Sequence, residues 1–415
     1  MNLLKKPYEN LDCVQSRFVE LYGEKNQSQF ERYQVAFTKF KNLYGYNCAY
    51  VASSSGRVEV CGNHTDHNGG KVVSCAISLD TLAFFMPTDD NVIRVTSEGY
   101  PEMIIDINEQ EKNEEYGTSS ALIKGVCVGL QNLGYNVGGF TAFLTSNVLG
   151  GAGISSSASF EVLIAEILNF LYNEERVNCE EKAKVSQFAE NVYFGKPCGL
   201  LDQTAISFGG LKKLDFSNKN KIIVEDVKCD LSGYTFILIN TGGSHADLTD
   251  EYASIPNEMR QVANAFSKDR LIEVDKEEFF ENVYKFEKLS DRAVLRAIHF
   301  YNENDRVDNL ASMLTKGDYN AFLQIIRESG ISSWAILQNC YVASGVDQKI
   351  PRALALASRR LNGGANRVHG GGFAGTILNI VKNEDANTFI LEMNKIFGSK
   401  NVIPLKVRTI GTIVL

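Results

Sequence analysis

The chain has little that would suit it to nucleic acid or to an anionic membrane surface. Its 42 Lys and Arg are outnumbered by 50 Asp and Glu, giving a net charge of −8 and a pI near 5.4, whereas both partners need basic patches. No apolar run approaches the length of a membrane span, and the opening Met1–Asn10 lacks the apolar core of a signal peptide, so a cytoplasmic protein is expected. Five His, at 64, 67, 245, 299 and 369, show neither an H-E-x-x-H nor a Cys/His zinc spacing. Nine Cys, an odd number and without any CxxC pair, read as reduced thiols. Internal repeats and low-complexity segments are also missing. Any phosphate chemistry must therefore rely on backbone dipoles, local cations and a metal.

What is present is 415 residues with 44% hydrophobic content, enough for well-buried cores in an ordinary globular protein. The pattern centres on Gly150-Gly151-Ala152-Gly153-Ile154-Ser155-Ser156-Ser157-Ala158-Ser159. A β-rich run, Phe140 to Val148, precedes it, and Phe160, Leu163, Ile164, Ile167, Leu168 and Leu171 follow at helical spacing. Strand, glycine loop and helix N-terminus together make a phosphate cradle. The third glycine of a dinucleotide loop, the lysine of a Walker loop and the closing glycine of a nucleophile elbow are all missing. Hydroxyls would stand where a P-loop uses lysine. Taken alone, the same residues equally describe an ordinary serine helix cap.

Around this centre the chain reads as two α+β domains joined between about 195 and 230, taken as 1–215 and 216–415. Residues 14–46 carry two helical patterns, and 49–107 read as a meander with strands at 49–61, 72–78, 82–86, 92–96 and 103–107. Helices are expected at 119–133 and 180–192, strands at 222–227 and 235–240, and mostly helix over 248–362. Strands near 374–381, 402–408 and 410–415 enclose a helix at 384–397.

Four further stretches concentrate chemistry. Gly56-Arg57 through Gly62-Asn63-His64-Thr65-Asp66-His67-Asn68-Gly69-Gly70 leads a strand into a polar loop able to address a polyhydroxylated ligand, or simply into a solvated turn. Asp202, in Pro197-Cys198-Gly199-Leu200-Leu201-Asp202-Gln203, could accept a proton from an attacking hydroxyl or could cap a helix. Asn240 to His245 runs on to Glu251-Tyr252, where Leu248, Tyr252, Ile255 and Met259 share a helical face that reads as core. Arg367 to Gly375 is a glycine-rich joint between two β-rich runs, a tight turn or a cradle wall.

Together, and in this order, the five stretches resemble the galactokinase branch of the GHMP small-molecule kinases. The resemblance implies a ribosomal-S5-like N-terminal domain and a ferredoxin-like C-terminal domain with the active site between them. It implies transfer of the γ-phosphoryl of ATP, with Mg²⁺, to the C1 hydroxyl of a hexose. ATP and a monosaccharide are the expected partners, without nucleic acid or membrane, and a monomer is expected. Carried over, Arg57 and Asp202 form the catalytic pair. Gly150, Gly151, Ala152, Gly153, Ile154, Ser155, Ser156 and Ser157 hold the nucleotide phosphates, with Ser157 near Mg²⁺. Asn63, His64, Asp66, Gly199 and Tyr252 surround the sugar, which moves Tyr252 from core to binding. With Arg57 beside it, Asp202 should stay ionised and orient the hydroxyl rather than act as a strong base.

The chain also departs from the family pattern. Asn63 stands where the pattern has a Glu that receives the sugar's C6 hydroxyl, a loss of charged partner worth on the order of 1.5–3 kcal/mol. Ser54-Ser55 replace Ala-Pro, His67 replaces Tyr, and His369 and Ala374 replace Thr and Gly. Asn63 raises a galacturonate or arabinose kinase as the alternative; a non-catalytic sugar sensor is a second, against which the retained Arg57, Asp202 and Ser155-Ser156-Ser157 weigh.

Overall fold

The computed structural model describes residues 6–24, 26–109, 116–148, 150, 153–243, 248–343 and 345–415. The chain opens with two helices, α1 (Phe18–Tyr22) and α2 (Gln27–Tyr44), then a long hairpin of β1 (Tyr50–Cys61) and β2 (Lys71–Pro87). It continues through β3 (Val92–Ser97), β4 (Met103–Asp106), α3 (Ser119–Asn132), β5 (Phe140–Ser146), α4 (Ser156–Tyr172), α5 (Cys179–Phe188) and α6 (Leu201–Phe208). Next come β6 (Leu211–Asp215), β7 (Ile223–Asp226), β8 (Tyr234–Asn240) and the helices α7 (Thr249–Ala265), α8 (Lys276–Glu281), α9 (Asp291–Lys316), α10 (Tyr319–Ser332) and α11 (Lys349–Ser358). The chain ends with β9 (Ala365–His369), β10 (Thr376–Lys382), α12 (Asn383–Phe397), β11 (Val402–Leu405) and β12 (Ile413–Val414).

Two sheets organise these elements. In the larger, the order is β12-β1-β2-β5-β3-β4, with β6 paired to β2 and β7 to β6; the smaller runs β11-β8-β10-β9. The expected meander is therefore corrected: β5 inserts between β2 and β3 and runs parallel to β3, with α3 in the crossover. Nor does sheet membership follow a division at 215/216, because β7 and β12 both lie beyond it and belong to the larger sheet. The short strand β6 was not expected. Among the described residues no helix is long and apolar enough to cross a membrane, and all nine thiols are free.

One apolar cluster binds the two sheets. Val58, Val60, Val73, Cys75 and Ile77 of the β1–β2 hairpin meet Phe236, Leu238, Leu378 and Ile380 of the smaller sheet and Val307, Leu310 and Ile326 of α9 and α10. Burial of apolar surface at this scale is the main stabilising term. It presses the root of the polar loop after Cys61 against α9.

The sequence pattern breaks β2 into two runs, yet the structure has one strand of 17 residues. The apparent break is Asp80, wholly buried and fully partnered. Its carboxylate accepts from Arg32 Nη1 at 2.6 Å, from Tyr22 OH at 2.7 Å and from the Ser53 hydroxyl, with Arg408 Nη1 at 3.8 Å. Arg408 in turn donates to Ser53 O at 3.1 Å and Gly411 O at 2.8 Å. One carboxylate thus ties α1, α2, the hairpin and the returning C-terminal segment together.

Burial pushes the Asp80 carboxyl up, but Arg32, Arg408 and the Ser53 hydroxyl outweigh it and leave it below the ordinary Asp value. A group depressed in the folded state stabilises fully above about pH 5, and that stabilisation drains away as the pH falls through its folded value. Asp80→Asn should cost about 3–5 kcal/mol at pH 7, since it strands buried guanidinium groups. Urea unfolding should show the gap between wild type and variant narrowing below about pH 4; a gap independent of pH would contradict the ionised role.

Candidate active site

The glycine loop delivers its first turn to the N-terminus of α4, and Ser155 sits there in the left-handed region with φ 64°. It caps nothing. No side-chain cap bond forms, and the Ser155 hydroxyl donates instead to Asp202 Oδ2. The first amides of α4 are thereby left to a ligand, where the helix dipole favours an anion. Gly150 and Gly153 flank the opening, while Gly151 and Ala152, like Ser244 and His245, lie outside the described residues. Ile154 is buried beneath the loop, and its carbonyl accepts from Arg57 N–H at 3.3 Å. That approach requires Gly56, since a Cβ there would lie 2.8 Å from the same carbonyl oxygen.

Arg57, near the middle of β1, joins the loop to α6. Its Nε donates to Asp202 Oδ1 at 2.8 Å and its Nη1 to Gly153 O at 2.6 Å. The arginine side chain is 7% exposed and the aspartate 34%, so the carboxylate is the member of the pair open to the cleft. Burial raises the Asp202 carboxyl, but Arg57, the Ser155 hydroxyl and Lys196 overcome this and hold it below the usual carboxylate range. It is ionised at neutral pH.

Ser156 begins α4, and Ser157 Oγ donates to Glu190 Oε1 at 3.0 Å. Gln203, next to Asp202, bridges Glu190 Oε2 at 2.9 Å and Glu161 Oε2 at 3.3 Å. Burial, reinforced by Glu190, drives the Glu161 carboxyl well above its ordinary value. Glu190 and Glu161 were missed by the sequence reading. Glu161 stands four residues beyond Ser157 on α4, a spacing that puts both on one face, but Glu190 comes from the turn after α5 and carried no signal.

The polar loop after β1 is gathered onto the glycine run Gly370–Gly372. His64, in the left-handed region with φ 57°, donates from Nε2 to Gly371 O at 2.9 Å. Its Nδ1 is buried without a partner, which presents an acceptor. Burial and the neighbouring His67 hold the imidazole neutral, with its pKa pulled down to about 3. Tyr252 OH donates to Gly372 O at 2.9 Å, with its ring edge-on to Phe373; it packs on the core as its spacing suggested while bordering the same glycines. Asp66 abuts Gly199, where a Cβ would sit 1.8 Å from Asp66 Oδ2.

Asn63 departs from expectation. Its side chain does not border the opening but is fully buried and saturated. The amide donates to Glu59 Oε1 at 2.9 Å and Gly370 O at 2.8 Å, and accepts from Asn339 Nδ2 at 2.7 Å and Ser333 Oγ at 3.3 Å. Glu59, itself paired to the buried Arg367 at 2.9 Å, draws the amide inward. His369 has a structural part: Nε2 accepts from Glu59 N–H at 3.2 Å and Nδ1 donates to Thr376 Oγ1 at 3.1 Å.

Residues 38–87 match the galactokinase galactose-binding signature and residues 121–210 the GHMP kinases N terminal domain. A galactokinase of Clostridium beijerinckii is 30% identical over 381 residues, 89% of this chain and 95% of that protein. One of Clostridium tetani is 29% identical over 373 residues, covering 87% and 92%. The crystal structure of Lactococcus lactis galactokinase complexed with galactose superposes with a TM-score of 0.78 at 23% identity, over 98% of this chain and 100% of that one. In sequence relatives and fold alike, the chain belongs to the galactokinase family of GHMP kinases.

Proposed function

We propose that the protein transfers the γ-phosphoryl group of ATP to the C1 hydroxyl of galactose, giving galactose 1-phosphate and ADP. The observation that carries this is the Arg57 bridge between the phosphate loop and Asp202. It sets the one open carboxylate of the pair beside the place where a terminal phosphate would rest. Phosphoryl transfer asks little covalent chemistry of a protein; positioning and charge stabilisation do most of the work.

In this reading Asp202 accepts a hydrogen bond from the C1 hydroxyl and aims its oxygen at the γ-phosphorus. Its depressed pKa suits an orienter that receives the proton late. Arg57, permanently cationic, steadies Asp202 and the charge spreading over the transferring group. The backbone of Gly150 to Ser157 holds the phosphates. His64, Asp66, Gly199 and Tyr252 face the sugar hydroxyls, His64 Nδ1 as acceptor. The Ser157 hydroxyl and the Glu190 carboxylate, 3.0 Å apart with Lys196 also on Glu190 Oε1 at 3.3 Å, would hold Mg²⁺, because this ion usually takes one or two protein oxygens and completes its shell with phosphates and water. Bound there it would neutralise charge on the phosphate oxygens.

Two measurements test the reading. Over a panel of galactose, glucose, galacturonate and arabinose with ATP and Mg²⁺, kcat/KM should be highest for galactose, by at least about tenfold over the uronate and the pentose; galactose as a poor substrate refutes the assignment. Asp202→Ala should lower kcat by about a hundredfold or more while ATP still binds. Equal, negligible ATP consumption by wild type and variant would mark a sensor instead.

A further inference from the structure

Two polar residues of α9, His299 and Glu303, stand one helical turn apart, and neither exposes any surface. Both face the root of the polar loop. Gly62 N–H donates to Glu303 Oε1 at 3.0 Å, and His299 Nε2 donates to Asn63 O at 2.9 Å. The peptide unit joining residues 62 and 63 lies between these contacts, directly before left-handed His64. The next residue of the helix, Asn304, takes the far end of the loop by accepting from Lys71 N–H at 2.6 Å. A single helix from the distal half of the chain therefore grips both ends of the loop at 62–71.

The grip is itself braced. Glu303 also accepts from Ser329 Oγ at 2.5 Å and, through Oε2, from Arg306 Nε at 2.6 Å. Arg306 Nη2 donates to Ser332 Oγ at 2.8 Å, which leaves that hydroxyl's proton for His299 Nδ1, also at 2.8 Å. A carbonyl such as Asn63 O can only accept, so the proton of the neutral imidazole is on Nε2. Burial lowers the His299 pKa, in keeping with that neutral form. Every polar atom of the pair has a defined donor or acceptor role, and the set is directed at two backbone groups with no ligand of their own.

We propose that His299 and Glu303 are positioning residues for sugar recognition. By clasping the Gly62–Asn63 peptide they hold the loop in register and set His64 into the left-handed turn that aims Nδ1 at a sugar hydroxyl. They do this without touching substrate. The inference rests on the sugar-kinase reading for its kinetic consequence, while the clamp on the loop stands apart from it.

The test uses the full-length protein with His299→Leu, His299→Gln and Glu303→Gln. Glutamine at 299 can keep an N–H near the place of imidazole Nε2, whereas leucine cannot. His299→Leu should raise KM for galactose about tenfold or more, the loss of a buried hydrogen bond, with KM for ATP changed by less than about twofold. His299→Gln should recover most of that loss, and Glu303→Gln should behave as the leucine variant. Amides of residues 62–70 should exchange with deuterium faster in the impaired variants than in wild type while the rest of the sheet stays protected. The proposal is overturned if both KM values rise together, if only thermal stability falls, or if loop exchange is unchanged. Wild type that phosphorylates no sugar would instead refute the kinase reading, and the exchange data would still decide the clamp. Should His299→Leu not fold, the two glutamine variants carry the same comparison.

Discussion

The site depends first on the ion pair between Arg57 and Asp202. It lies between elements almost 150 positions apart in sequence, and the same guanidinium holds the Gly153 carbonyl. An arginine fork can do both at once because its donors are planar and fixed in direction, which a lysine cannot offer. Through this group the glycine loop, β1 and α6 take one relative arrangement. The aspartate is kept charged while its open edge remains exposed to the cleft. Residual freedom in the loop is reduced further by Ser155, which turns away from capping its helix and toward Asp202.

Around that pair the protein buries charge repeatedly. Asp80 is held by two arginines, Glu303 by Arg306, and Arg367 by Glu59. Buried ion pairs are weak sources of stability compared with apolar packing, since desolvation offsets most of the attraction. Their directionality is another matter. Each of these carboxylates also receives hydrogen bonds from backbone or side-chain donors of separate elements, so a shift of any one element leaves a buried charge underserved. The geometry of the cleft is thereby made discrete.

Glu59 and Asn63 show how a strand residue and a loop residue settle each other's orientation. With Glu59 in the strand and Asn63 in the loop, the carboxylate stays with Arg367 in the interior and the amide turns inward to meet it. An ionised acid at 63 would face Glu59 with like charge and could donate neither to Glu59 Oε1 nor to Gly370 O. Beside Asn63 the rings of His64 and His67 stack with centroids 5.9 Å apart.

By itself the sequence determined the glycine loop between a strand and a helix, the strand carrying Arg57, the identity of Asp202 as a carboxylate in apolar company, and most helices. These follow from glycine spacing and hydrophobic period, which act over a few residues. Tertiary structure alone decided that β2 is continuous through Asp80, that β5 enters between β2 and β3, that the last strand returns to the first sheet, and that Asn63 looks inward. It also brought Glu190 to Ser157, and His299 and Glu303 to the root of the polar loop. Each depends on partners distant in the chain, whose charge and hydrogen bonds override local preference and leave no periodic trace in the order of residues.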